Sequence, residues 1–147
     1  MKIPKIYRRS LYISMSLLFL TGLVAWIAYL GISPETETTG LLYLIRSTGL
    51  KIHGGMAMIV LIVLGALIPN HIVKSWKIKK NKPSGTILVS VLVVLILTGY
   101  FLYYSDEVLR NISSMIHIAL GLLFPVFLVG HILSSRTYRH KKKNPRI

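Results

Sequence analysis

Apolar residues along this chain fall into four long blocks, running roughly from residue 11 to 31, 50 to 73, 86 to 104 and 115 to 134. A hydrocarbon core about 30 Å thick is crossed by about 20 residues of helix, so each block predicts one membrane-spanning helix. No block carries Asp, Glu or Arg in its interior, and Lys51 lies at a span end where its ammonium reaches the interface. The connections carry the expected breakers, Ser33-Pro34, Lys82-Pro83-Ser84-Gly85 and Ser105-Asp106. Trp26, Tyr29, Trp76, Tyr100, Tyr103 and Tyr104 gather near span ends, where amphipathic rings suit the headgroup level. The pattern predicts an all-α membrane protein: a basic N-terminus over 1–10, a four-transmembrane-helix bundle over 11–134 and a basic tail over 135–147.

Composition sharpens this. The 147 residues are 53% hydrophobic and 15% charged, with a formal charge of +14. A soluble basic domain would intersperse the two kinds of residue, whereas here they are segregated. Basic residues cluster in the N-terminus (Lys2, Lys5, Arg8, Arg9), the middle connection (Lys74, Lys77, Lys79, Lys80, Lys82) and the tail (Arg136, Arg139, Lys141, Lys142, Lys143, Arg146). The other side holds only Arg46, Lys51 and Arg110 among the 18 Lys and Arg, with all four acids, Glu35, Glu37, Asp106 and Glu107. The positive-inside rule then predicts cytoplasmic termini and middle loop, in an integral, multi-pass protein of a bacterial cytoplasmic membrane. Contact with anionic lipid accounts for the basic runs, so no nucleic-acid partner is expected. The first apolar run is too long for a signal-peptide core and no A-x-A site follows it, so it is expected to remain as a span. In the first outer loop, Leu41 to Arg46 is expected to lie as a short interfacial helix, part of a quinol site or a docking surface.

Four of the five histidines stand inside spans, where an ionisable group is costly and marks function. His53 and His71 are 18 residues apart on the second span; His117 and His131 are 14 apart on the fourth. At about 100° per residue these separations are near whole numbers of turns, so each span presents both histidines on one face. The two spans run parallel, which pairs His53 with His117 near the outer surface and His71 with His131 near the inner one. Axial bis-imidazole ligation of haem needs such pairs on facing helices, with an apolar slot between helices 2 and 4. Gly54, Gly55, Gly121 and Gly130 beside the histidines, and Gly22, Gly85 and Gly99 on the other two spans, would let a flat cofactor or a helix approach closely. There are no cysteines, which excludes thiolate ligands and covalent haem attachment. His140, among Arg139 and Lys141, reads as a solvated tail residue. A loose internal repeat is also visible: "LFLTGLVAWIAYLG" resembles "LILTGYFLYYSDE", and each precedes a span that opens on "IH" and closes on "HI".

At "IHGGMAMIVLIVLGALIPNH" and "IHIALGLLFPVFLVGH" the chain resembles the small di-haem b-type membrane cytochromes, a resemblance that covers roughly residues 11–134. The His117 to His131 spacing matches the thirteen-residue gap of that family, and Gly85 to Gly99 repeats it. The resemblance implies two b-type haems with His53, His71, His117 and His131 as axial ligands, flanked by Gly54, Gly99 and Gly121. It also implies a quinone and a periplasmic or membrane redox subunit as partners. One feature departs from the pattern. His53 to His71 rises about 27 Å on a straight helix, against about 21 Å for His117 to His131. A tilt, or a distortion at Pro69 or Pro125, would absorb that turn; without one, the inner pair His71/His131 is the pair that fails. The expected function is transmembrane electron transfer between the quinone pool and a periplasmic redox partner, as a subunit of an oxidoreductase complex more than a stand-alone enzyme. The alternative is a non-redox membrane scaffold or assembly subunit whose histidines serve helix packing. Zinc would lack a tetrahedral set, and a proton relay would lack intramembrane carboxylates.

Overall fold

A helix is the one open-chain way to satisfy every backbone N–H and C=O without water, and long runs of Leu, Ile, Val and Ala take that form here. The computed structural model describes residues 5–32, 40–73 and 82–143, with the side chains of 70, 82 and 136–143 set apart. Helix α1 spans Lys5–Leu30 and α2 spans Leu41–Leu67, continued by a π-helical segment over Ile68–Val73. Helix α3 spans Lys82–Tyr104 and α4 spans Glu107–Lys143. Four helices are long and apolar enough to cross a membrane, over Lys5–Leu30, Leu41–Leu67, Pro83–Tyr104 and Glu107–Ser135. The expected positions Glu35, Glu37, Lys74, Trp76, Lys77, Lys79 and Lys80 lie outside the described residues.

Several expected boundaries move. Leu41 to Arg46 is not a separate interfacial helix; it is the first part of α2, because nothing between it and Leu50 breaks the backbone ladder. Gly40 has extended backbone, and the helix starts immediately after it. Helix α4 likewise begins at Glu107, well before the apolar run, and continues into the tail as far as Lys143. Its start is capped: the Leu109 amide donates to Asp106 Oδ1 at 2.8 Å, and Arg110 Nη2 donates to the Ser105 carbonyl at 3.0 Å. Loss of such a cap costs about 1 kcal/mol. Asp106→Ala is therefore expected to lower the thermal midpoint of the purified protein slightly while leaving its helix content unchanged.

Helix α2 is distorted at Pro69. Proline supplies no N–H and its ring clashes with the carbonyl four residues back, so the α ladder of α2 ends at Leu67 and gives way to the wider π turn. Pro125, by contrast, is carried inside α4 without ending it.

The chain divides into two compact units, Met1–Val73 and Lys74–Ile147, each a helical hairpin. In the first, partners on α2 fall in number as those on α1 rise: His53 meets Leu18 and Thr21, Gly49 meets Ala25, and Leu42 meets Gly31. The second is antiparallel in the same way, with His131 at Ser84 and His117 at Thr98. What these hairpins bury is mostly small: Ser14, Ala25, Ala28 and Gly49 in the first, beside Val60 and Leu67, and Thr98 and Ser113 in the second. A Cβ built on Gly49 would stand 3.2 Å from that of Ala25, so the two backbones approach as closely as small residues allow. Large apolar side chains point outward instead, with Ile62 at 73% and Val108 at 71% exposure. An apolar exterior over a small-residue interior fits lipid as the surrounding medium. Tyr29, Tyr100, Tyr103 and Tyr104 are exposed at helix ends; Arg46 lies 4.7 Å over the Tyr29 ring, and Tyr100 stacks on Tyr104 at 4.6 Å.

Candidate functional site

In each hairpin one histidine, His53 or His117, is half-buried against the neighbouring helix beside a Thr-Gly pair. On α1, Leu20-Thr21-Gly22 meets His53 of α2; on α3, Leu97-Thr98-Gly99 meets His117 of α4. Thr21 Oγ1 lies 3.3 Å from His53 Nδ1, and Thr98 Oγ1 lies 2.9 Å from His117 Nδ1. The glycine that follows each threonine lies against the imidazole. A Cβ on Gly22 would come within 2.8 Å of His53 Cε1, and one on Gly99 within 3.4 Å of His117 Cε1. One turn before each histidine stands a small buried residue, Gly49 or Ser113. The loose repeat in the sequence thus has a structural counterpart in a similar Thr-Gly dock in both hairpins.

The second hairpin repeats the dock at its other end. Ser84 Oγ lies 3.1 Å from His131 Nδ1, and a Cβ on Gly85 would stand 3.6 Å from His131 Cε1. Two antiparallel helices advance equally per residue, so a spacing of 14 from Ser84 to Thr98 on α3 matches the 14 from His117 to His131 on α4. Both histidines of α4 therefore lie on one face, as their spacing predicts, and that face is turned to α3. The first hairpin lacks this second rung at the equivalent places: 14 residues before Thr21 is exposed Tyr7, and 14 after His53 is buried Leu67. His71 comes four residues later, half-buried within the π segment. The whole-turn arithmetic for His53 and His71 assumed a straight α-helix, and the last turn before His71 is not one.

The candidate glycines divide. Gly99 lies against His117; Gly121, Gly55 and Gly130 have nothing within 4 Å of a built Cβ. Gly54 lies beside His53 on α2 and is half-buried. The hydroxyls Thr21, Thr98 and Ser84 had no place in the sequence reading as histidine partners. The signal was the recurring Thr-Gly or Ser-Gly dipeptide, legible only once antiparallel pairing set each dipeptide opposite a histidine.

The donor chemistry fits a haem. The Leu18 carbonyl lies 2.9 Å from His53 Nδ1, and a carbonyl only accepts, so Nδ1 carries the proton. That makes Nε2 the lone-pair nitrogen, the form of neutral imidazole that haem iron takes, with the other ring nitrogen oriented by a backbone acceptor. Among the described residues no group of three or more His, Cys, Asp or Glu side chains converges on one point. Bis-imidazole ligation asks for two. No protein-family model, curated protein or solved structure matches the chain, so its resemblance to the di-haem cytochromes rests on the two histidine segments quoted above.

Proposed function

We propose that the chain is a small b-type cytochrome subunit that carries electrons across a bacterial cytoplasmic membrane, between the quinone pool and a periplasmic redox partner. His53 and His117 are the axial ligands of an outer haem, and His71 and His131 those of an inner one. The pairing follows from their positions in the sequence. The observation that supports it best is the dock repeated in two separate hairpins: a histidine with its Nδ1 engaged by the neighbouring helix and a glycine beneath its ring. Haem, when bound, supplies one-electron chemistry. The protein's part is to hold neutral imidazoles at fixed orientation and to keep water away with apolar helices.

The same hydrogen bonds favour a second reading, a scaffold whose histidines tie α1 to α2 and α3 to α4. Haem stoichiometry separates the two. Haemin titrated into the purified full chain is expected to reach two per chain, and one per chain in His71→Ala, with the outer haem's spectrum retained. Wild-type protein that takes up no haemin in a low-spin form leaves the scaffold reading standing.

A further inference from the structure

The early starts of α2 and α4 set two arginines in register with the docked histidines. Of the seven arginines in the chain, five lie in the basic N-terminus and tail, and only Arg46 and Arg110 stand elsewhere. Arg46 comes seven residues before His53 in "RSTGLKIH", and Arg110 seven before His117 in "RNISSMIH". Both stretches are unbroken α-helix, within Leu41–Leu67 and Glu107–Lys143. Seven residues make about two turns, so each arginine leaves its helix within about 20° of its histidine and about 10 Å further along the axis. A separate interfacial helix over residues 41–46 would have destroyed this register. Each arginine also leans toward the same neighbour as its histidine. Arg46 Cζ lies 4.7 Å over the ring of Tyr29 on α1, where Thr21 meets His53. Arg110 Nη2 donates at 3.0 Å to the carbonyl of Ser105, just past the end of α3, where Thr98 meets His117. These partners are uncharged. A guanidinium has five N–H donors in a planar fork; a ring beneath its plane engages none of them and one carbonyl takes one, so donors are left for an anion. Lys51, the third cation of that side, is two residues before His53 and so about 200° round the helix.

We propose that Arg46 and Arg110 anchor the two propionate carboxylates of the outer haem, one on each, an assignment that rests on the cytochrome reading. Both propionates hang from one edge of the ring, and the reach from the iron to those carboxylates is close to the two turns that part each histidine from its arginine. A ring ligated by His53 and His117 with that edge toward the loops after α1 and α3 brings a carboxylate level with each guanidinium, which takes it as a fork. Cations are scarce on this side, so two arginines at one spacing from two histidines are exceptions to its charge pattern. A lipid phosphate offers the same acceptor chemistry, but it would be met by an interfacial cation on any face of the helix. The register shared with the histidines is what a haem carboxylate asks for.

The test compares haemin with its dimethyl ester, whose carboxylates are capped and uncharged. Each is titrated into the purified full chain carrying His71→Ala, so that the outer site alone is read. Arg46→Gln and Arg110→Gln, added singly, are each expected to weaken haemin about fivefold, the worth of an exposed ion pair, and to leave the affinity for the ester unchanged. The reduction potential of the outer haem should fall in both, because a propionate charge is then unbalanced. Arg46→Lys keeps the charge and is expected to recover most of the loss, and Lys51→Gln, on another face, to match the parent. If the parent and both glutamine variants prefer haemin over the ester to the same degree, the assignment is overturned, the guanidinium groups are left to lipid phosphate, and the cytochrome reading stands. Loss of haemin and ester together in the variants would make the arginines structural and also overturns it. If wild type takes up neither compound, the cytochrome reading falls and the anchors fall with it.

Discussion

His117→Ala, and separately His53→Ala, is expected to abolish the outer low-spin haem while leaving the helical hairpins folded. Removing the hydrogen-bond partner of a metal-bound histidine costs about 10- to 100-fold in affinity, so deleting the ligand itself costs more than that. The packing loss is small by comparison. Interhelical hydrogen bonds in membranes average about 0.6 kcal/mol, and Thr98 keeps its own bonds to Val94 and Leu95 when His117 is gone. Haem loss with near-native thermal stability is thus the signature of a ligand. Equal haem content in the variants, or loss of stability as their main defect, would identify these histidines as packing residues.

The second large effect involves no ligand. Gly22→Val places a branched side chain where even a Cβ stands 2.8 Å from His53 Cε1 and 3.0 Å from Nδ1. The ring has to leave, and with it the bond to the Leu18 carbonyl. Overpacking of this kind costs about 1–3 kcal/mol, more than the helix propensity gained by replacing glycine. The expected result is a lower thermal midpoint together with loss of the outer haem. Gly55→Val, with nothing within 4 Å of its Cβ, serves as the comparison and should leave the midpoint near that of wild type. Matching stability and haem content in Gly22→Val and wild type would mean that the α1–α2 dock does not position His53.

The four spans were readable in the sequence because lipid imposes one crude requirement, about 20 apolar residues in a row. The helix ends were not. Leu41 to Ile45 is apolar but parted from its span by Arg46-Ser47-Thr48-Gly49, and Glu107 to Ser114 is mixed; the helical state of both follows from continuity with the apolar run behind them, to which hydropathy is blind. The mismatch of about one turn between the two histidine spacings could be computed from rise per residue, to be absorbed by a tilt or by a distortion at Pro69 or Pro125. Choosing between Pro69 and Pro125 depended on which helix could reclose its ladder, a tertiary matter. Of the candidate site, the histidines and the glycines were visible as exceptions in an apolar mass. Thr21, Thr98 and Ser84 were hidden because a lone hydroxyl in a span bonds its own backbone as readily as a neighbour, and only helix pairing shows which histidine it faces.

The most direct test of the account is the reduced-minus-oxidised absorption spectrum of the full chain purified from haem-sufficient cells. The account predicts the sharp bands of a low-spin, bis-imidazole b haem. A flat difference spectrum that stays flat after incubation with haemin would contradict it.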